Sequence, residues 1–150
     1  MGGLVRTVLT ALVLASPAGA EAVHMGGGRY RVEGDRGGVI ADRLLEITRL
    51  RGTARRVEIT GTLCLSACTL YLGLSQTCVN GDTRFGFHGA THFGSPLSPQ
   101  DFDYWSAVVA RQYPPRLRRW YLREGRARTE GWYEMTGAEL AGFGVPLCRP

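Results

Sequence analysis

The chain has 150 residues, 44% of them hydrophobic, and a formal net charge of +5. Those values suit one globular domain with a genuine core and exclude a disordered, fibrous or repeat polymer. All 18 basic residues are arginine, and so mild an excess reads as composition rather than as nucleic-acid binding.

Residues 1–20 read as a signal peptide: Arg6 supplies the positive start, Val8 to Leu14 the short apolar core, and Ala18-Gly19-Ala20 a small-x-small cleavage site. Cleavage after Ala20 leaves residues 21–28, with His24, as a flexible mature N-terminus and residues 29–150 as the folded domain. The apolar run is too short to span a bilayer. Export to an oxidising compartment, periplasmic or extracellular, follows, and in such a place the four cysteines read first as two disulfides. Three connectivities are open to them.

Arg29 to Glu33 alternates like a strand and stops at Gly34-Asp35. Ile40, Leu44, Leu45, Ile47 and Leu50 then recur with helical period, closed by Gly52. Arg56 to Thr60 reads as a strand, followed by the Gly61-Thr62 break and a turn carrying Ser66. Ala67 to Leu74 reads as an apolar helix. Cys78-Val79 and Thr83 to Phe87 are expected to form a strand pair or one bent strand around Asn80-Gly81-Asp82.

The second half is helical. Ser98-Pro99-Gln100-Asp101 is an N-cap with proline at the first helical position, and Phe102, Trp105, Val108, Val109 and Tyr113 continue one face. Pro114-Pro115 breaks the pattern, Arg116 to Arg123 resumes it, and Thr136-Gly137-Ala138-Glu139 is a further capping box. Alternating strands and helices predict a single small α/β domain with a mostly parallel sheet and flanking helices.

The chemistry concentrates in three places. Ser66 stands between Cys64 and Cys68 where a strand meets a helix, a position that exposes a hydroxyl beside a positive helix end. His88 ends the next strand and is the candidate base. Gly37-Gly38 opens the first helix, and paired glycines let backbone N–H groups face a developing oxyanion. The donors would be the N–H groups of Gly38 and Ala67. Taken singly, Ser66 could merely cap a helix and His88 could be a core histidine; together they point to nucleophilic acyl transfer.

In order and spacing, these elements resemble the Clp protease proteolytic subunit and crotonase superfamily. Gly37-Gly38-Val39-Ile40 is similar to its glycine turn, Ser66 to its nucleophile and Phe87-His88 to its base, with 28 residues from Gly38 to Ser66 and 22 from Ser66 to His88. The closest likeness is to the secreted, cysteine-bearing Clp-like branch, over about residues 29–147. The resemblance implies a Clp/crotonase-like fold, peptide or another acyl compound as substrate, self-association and no cofactor. It also implies a Cys64–Cys68 bridge around the serine, which leaves Cys78 for Cys148. With no lysine in the chain, the serine–lysine dyad of other exported relatives is closed, and histidine must be the base. No nucleotide site is evident, so no ATPase partner is expected.

The family's third catalytic residue, an aspartate, aligns here with Trp132. Glu130 and Glu134 flank it and are the candidate substitutes, with Asp101 and Asp103 as more distant ones. The departure sustains a second expectation from another class, a non-catalytic binding module that keeps the fold. His88-x-x-x-His92 beside Cys64-x-x-x-Cys68 supplies zinc-type ligands, but the glycine-rich loop would not align the histidines, and no metal site is expected. The arginines from Arg116 to Arg128 read as a solvated helix face with Trp120 and Tyr121 turned inward, not as a membrane contact.

Overall fold

The computed structural model describes residues 23–26 and 28–149; the expected signal peptide, residues 1–20, lies outside them. In chain order the elements are β1 (Val23–Gly26), β2 (Arg29–Val32), α1 (Ile40–Arg51), β3 (Arg56–Ile59), β4 (Leu63–Leu65), a 3-10 helix (Ser66–Gly73), β5 (Thr77–Val79), β6 (Arg84–Phe87), α2 (Pro99–Ala110), α3 (Pro115–Arg123), β7 (Tyr133–Thr136) and α4 (Gly137–Ala141). The class is α/β.

Local signals set most of these boundaries. Helix α1 turns Ile47 and Leu50 into the core, with Asp42 in its first turn and Arg49 and Arg51 in its last, as the helix dipole favours. The Ser98 hydroxyl accepts from the Asp101 N–H to start α2. Thr136 and Glu139 form the reciprocal capping box of α4. On α3, Leu117, Trp120 and Tyr121 are buried while Arg116, Arg118 and Arg119 remain exposed.

The strands form two sheets rather than the single mostly parallel sheet expected. One runs β1-β2-β3-β5, with β1 antiparallel at its edge and the other pairs parallel; the second runs β4-β6-β7, with β4 and β6 parallel and β7 antiparallel. Two strand expectations are corrected by this division. Val23–Gly26 pairs with β2 instead of lying in a flexible stretch. β5 and β6 neither pair nor form one bent strand, because the turn at Asn80-Gly81-Asp82 carries the chain from one sheet to the other. The Ala67 to Leu74 segment is also wound more tightly than expected, as a 3-10 helix. A continuous core of Val57, Ile59, Cys64, Leu70, Tyr71, Phe85, Phe87 and Leu117 joins the sheets to the helices.

Both disulfides form in the pairing that the resemblance implied: Cys64–Cys68 and Cys78–Cys148, with Cα separations of 5.3 and 4.8 Å. Two such bonds fit an oxidising environment. They also occupy the thiols that a zinc site would need. Cys78–Cys148 fixes the C-terminal segment against β5, where Leu147 bridges to Val79, and spans 70 residues. Replacing both Cys78 and Cys148 with alanine should lower unfolding stability by about 2–4 kcal/mol, because a long loop in the unfolded chain is released. Urea denaturation of the double variant measures this, and an unchanged midpoint would contradict it.

Candidate active site

Strand β4 ends at Leu65, and the chain turns at once into the 3-10 helix whose first residue is Ser66. Ser66 has φ of +54°, a left-handed conformation that costs a non-glycine residue free energy and is kept where surroundings enforce it. Here the Cys64–Cys68 bridge spans the turn. The Thr69 hydroxyl donates to the Ser66 carbonyl at 2.7 Å and meets the Tyr113 hydroxyl at 2.6 Å. A serine on a strained strand-to-helix turn presents its Oγ outward, as nucleophilic serines do on unrelated folds.

Strand β6 lies parallel to β4, and His88 follows its last residue. His88 Nε2 lies 2.7 Å from Ser66 Oγ, within the reach a base requires. The Tyr121 hydroxyl donates to the His88 carbonyl at 3.1 Å, and the next N–H, of Gly89, donates to the Arg128 carbonyl at 2.8 Å. Burial lowers the His88 pKa from its ordinary value, with the Gly89 backbone pulling the other way. Burial thus favours the neutral imidazole, the form that can accept a proton.

The glycine turn packs directly on this pair. Gly37 and Gly38 have φ of +101° and +136°. A Cβ on Gly37 would stand 2.6 Å from Ser66 Cβ and 2.8 Å from the Leu65 carbonyl oxygen, so position 37 requires glycine on both conformational and steric grounds. The Gly38 and Ala67 N–H groups make no hydrogen bond among the described residues, and both residues line the same cavity as Ser66 and His88. That cavity, of about 440 Å³, is otherwise mostly apolar, walled by Val39, Ile40, Leu97, Trp105 and Val109. Phe93, which also lines it, and Gly94 both take positive φ in a tight turn closed by His92 and Ser95, and Phe93 is 87% exposed.

Sequence inspection missed the polar group beneath the turn. Asp35, expected only to end a strand, is buried; its Oδ1 accepts from the Gly37 N–H at 2.7 Å and its Oδ2 from Arg43 Nη2 at 2.5 Å. Arg43 also donates to Glu46 at 2.9 Å and to the Tyr71 hydroxyl, which meets the Tyr30 hydroxyl at 3.0 Å. Burial raises the Asp35 pKa while Arg43 and the Gly37 N–H pull it down.

The carboxylate expectation is corrected. Neither Glu130 nor Glu134 bonds to His88. Glu134 sits in register with Gly86, about 7 Å back along the strand from His88, and turns to Arg84 at 3.9 Å. Glu130 is exposed just before Gly131. Asp103 pairs with Arg126 at 2.7 Å and Asp101 with Ser98. Trp132 instead meets His88, ring centroids 4.9 Å apart and planes at 78°.

Compared with models of known protein families the chain matches none, and compared with curated proteins it again matches none. Its chemistry is accordingly read from its own geometry.

Asp35 and Arg43 are both nearly enclosed, with side chains 11% and 12% exposed. Arg43→Met would strand a buried carboxylate and should cost about 3–5 kcal/mol. Arg84→Met, at an ion pair open to water on both sides, should change stability by less than about 1 kcal/mol. Chemical denaturation of the two variants checks the contrast; equal costs would refute the role given to Asp35.

Proposed function

We propose that this chain is an exported serine hydrolase that acts on peptide or other acyl substrates, with the Clp/crotonase-like fold that its motifs resemble. The observation that carries the proposal is the 2.7 Å approach of His88 Nε2 to Ser66 Oγ, from a serine held in a left-handed turn beside a glycine pair. In the reaction, Ser66 Oγ attacks the substrate carbonyl carbon while its proton passes to His88 Nε2. The Gly38 and Ala67 N–H groups take up the charge on the carbonyl oxygen. The tetrahedral intermediate then collapses, and the leaving group departs with the proton from His88. Water, deprotonated by His88, adds to the acyl-enzyme, and a second collapse releases the acid and restores Ser66.

The disulfides support the periplasm or the exterior as the place of action. A second reading, a binding module without turnover, is favoured by the lack of any carboxylate bonded to His88 among the described residues. Reaction of the purified mature protein with a fluorophosphonate, mapped by mass spectrometry, separates the two. The hydrolase labels at Ser66 and loses the label on Ser66→Ala or His88→Ala, whereas the binding module does not label.

The pH dependence follows from the burial of His88. Only the neutral imidazole can accept the serine proton, and burial lowers its pKa, so labelling should rise with a midpoint below about 6.5, the ordinary histidine value. Tyr121, whose hydroxyl reaches the His88 carbonyl, stays protonated in that range. A midpoint at or above 7, from labelling rates between pH 4 and 9, would contradict this account.

A further inference from the structure

The hydroxyl of Ser66 has its base, but the base has no carboxylate to hold it. What His88 has is a hydrogen bond with the Gly89 backbone and an aromatic ring beside it. Trp132 lies edge-to-face against the imidazole, with centroids 4.9 Å apart and planes at 78°. The fold makes deliberate room for it: a Cβ at Gly86 would stand 3.2 Å from both Cβ and Cγ of Trp132 and 2.6 Å from Leu65 Cδ2. Glycine two residues before the base thus lets the indole lie down across the end of β6. The indole is 41% exposed, so the core does not require it there, and other aromatics, Phe87, Tyr113 and Trp120, pack among themselves further in.

We propose that Trp132 is a positioning residue for His88, sharing by ring contact, alongside the Gly89 backbone, the orienting role that a carboxylate would otherwise fill. This inference rests on the hydrolase reading. Besides its bond to Ser66 the imidazole has a hydrogen bond with the Gly89 backbone, and that one tie still lets the ring swing once the Ser66 bond is released. The indole blocks that rotation on one side, and Tyr121, bonded to the His88 carbonyl, fixes the backbone below it. Ring contact orients less strictly than a hydrogen-bonded carboxylate, so the expected enzyme is slow but specific in its geometry.

The test compares wild type, Trp132→Ala, Trp132→Phe and Glu134→Gln for the rate of fluorophosphonate labelling at Ser66, with thermal melting and imidazole 15N shifts recorded on each. Trp132→Ala should label at least about tenfold more slowly, since misplacing a catalytic group by even ~1 Å is that costly. Trp132→Phe should recover most of the rate, and Glu134→Gln should match wild type. The 15N shifts should show one His88 tautomer in wild type and an averaged pair in Trp132→Ala. Labelling of Trp132→Ala at the wild-type rate, or failure of Trp132→Phe to recover, would overturn the assignment. So would a loss that merely follows melting temperature. If wild type itself fails to label, the hydrolase reading falls; the 15N comparison then decides the positioning claim alone, and identical tautomer ratios would reject it.

Discussion

A single buried carboxylate ties together the three parts of the site. Asp35 binds strand β4 through its backbone, accepting from the Leu65 N–H at 2.8 Å and donating to the Leu63 carbonyl at 3.1 Å. Its side chain holds the Gly37 N–H with one oxygen and Arg43 of α1 with the other. Arg43 in turn reaches Tyr71 in the 3-10 helix that begins with Ser66, and its guanidinium lies 4.5 Å from that ring centre. The glycine turn, the strand that leads into Ser66 and the helix that Ser66 begins are thus all referred to one residue. Burying the charge is costly, as the upward push on its pKa shows, and only a well-paired carboxylate offsets that cost. Placing it beneath the Gly37-Gly38 turn exchanges stability for a fixed geometry.

The proposed nucleophile and base are held by opposite means. Ser66 is constrained covalently and by backbone strain, with a disulfide across its turn and a positive φ. His88 is constrained by a Gly89 backbone hydrogen bond, by the Tyr121 hydroxyl on its carbonyl and by the Trp132 ring beside it. The same burial that packs His88 also lowers its pKa, which favours the neutral form that can act as a base. A carboxylate there would raise the basicity of the imidazole; its replacement by an indole should give a weaker base that works at lower pH.

Much of this was legible in the sequence because it rests on short-range rules. Ser98-Pro99 and Thr136 to Glu139 announce helix starts by capping chemistry that needs no tertiary partner. Ser66, His88 and Gly37-Gly38 stand out because a serine, a histidine and a glycine pair at that order and spacing are the residue types that acyl transfer uses. The missed features are those that depend on pairing. Strand β7 has Tyr133 and Glu134 exposed and only Met135 buried, so it carries no alternating apolar signal, and without its register the approach of Trp132 to His88 cannot be read. Asp35 looks like a turn residue and Arg43 like an exposed helix position. Their burial follows from the way α1 lies over the 3-10 helix, which periodicity does not encode. The division into two sheets hinges on the turn at Asn80-Gly81-Asp82, where a hairpin and a crossover share the same residue types.

The central claim is that Ser66, His88 and the N–H groups of Gly38 and Ala67 converge on one reacting carbonyl. A crystal structure of the protein after fluorophosphonate treatment tests it most directly. The account predicts phosphorus bonded to Ser66 Oγ, with the phosphonyl oxygen about 3 Å from both N–H groups and the alkyl group in the apolar cavity. An adduct whose phosphonyl oxygen points away from Gly38 and Ala67, or unmodified Ser66 beside a modified residue elsewhere, would contradict it.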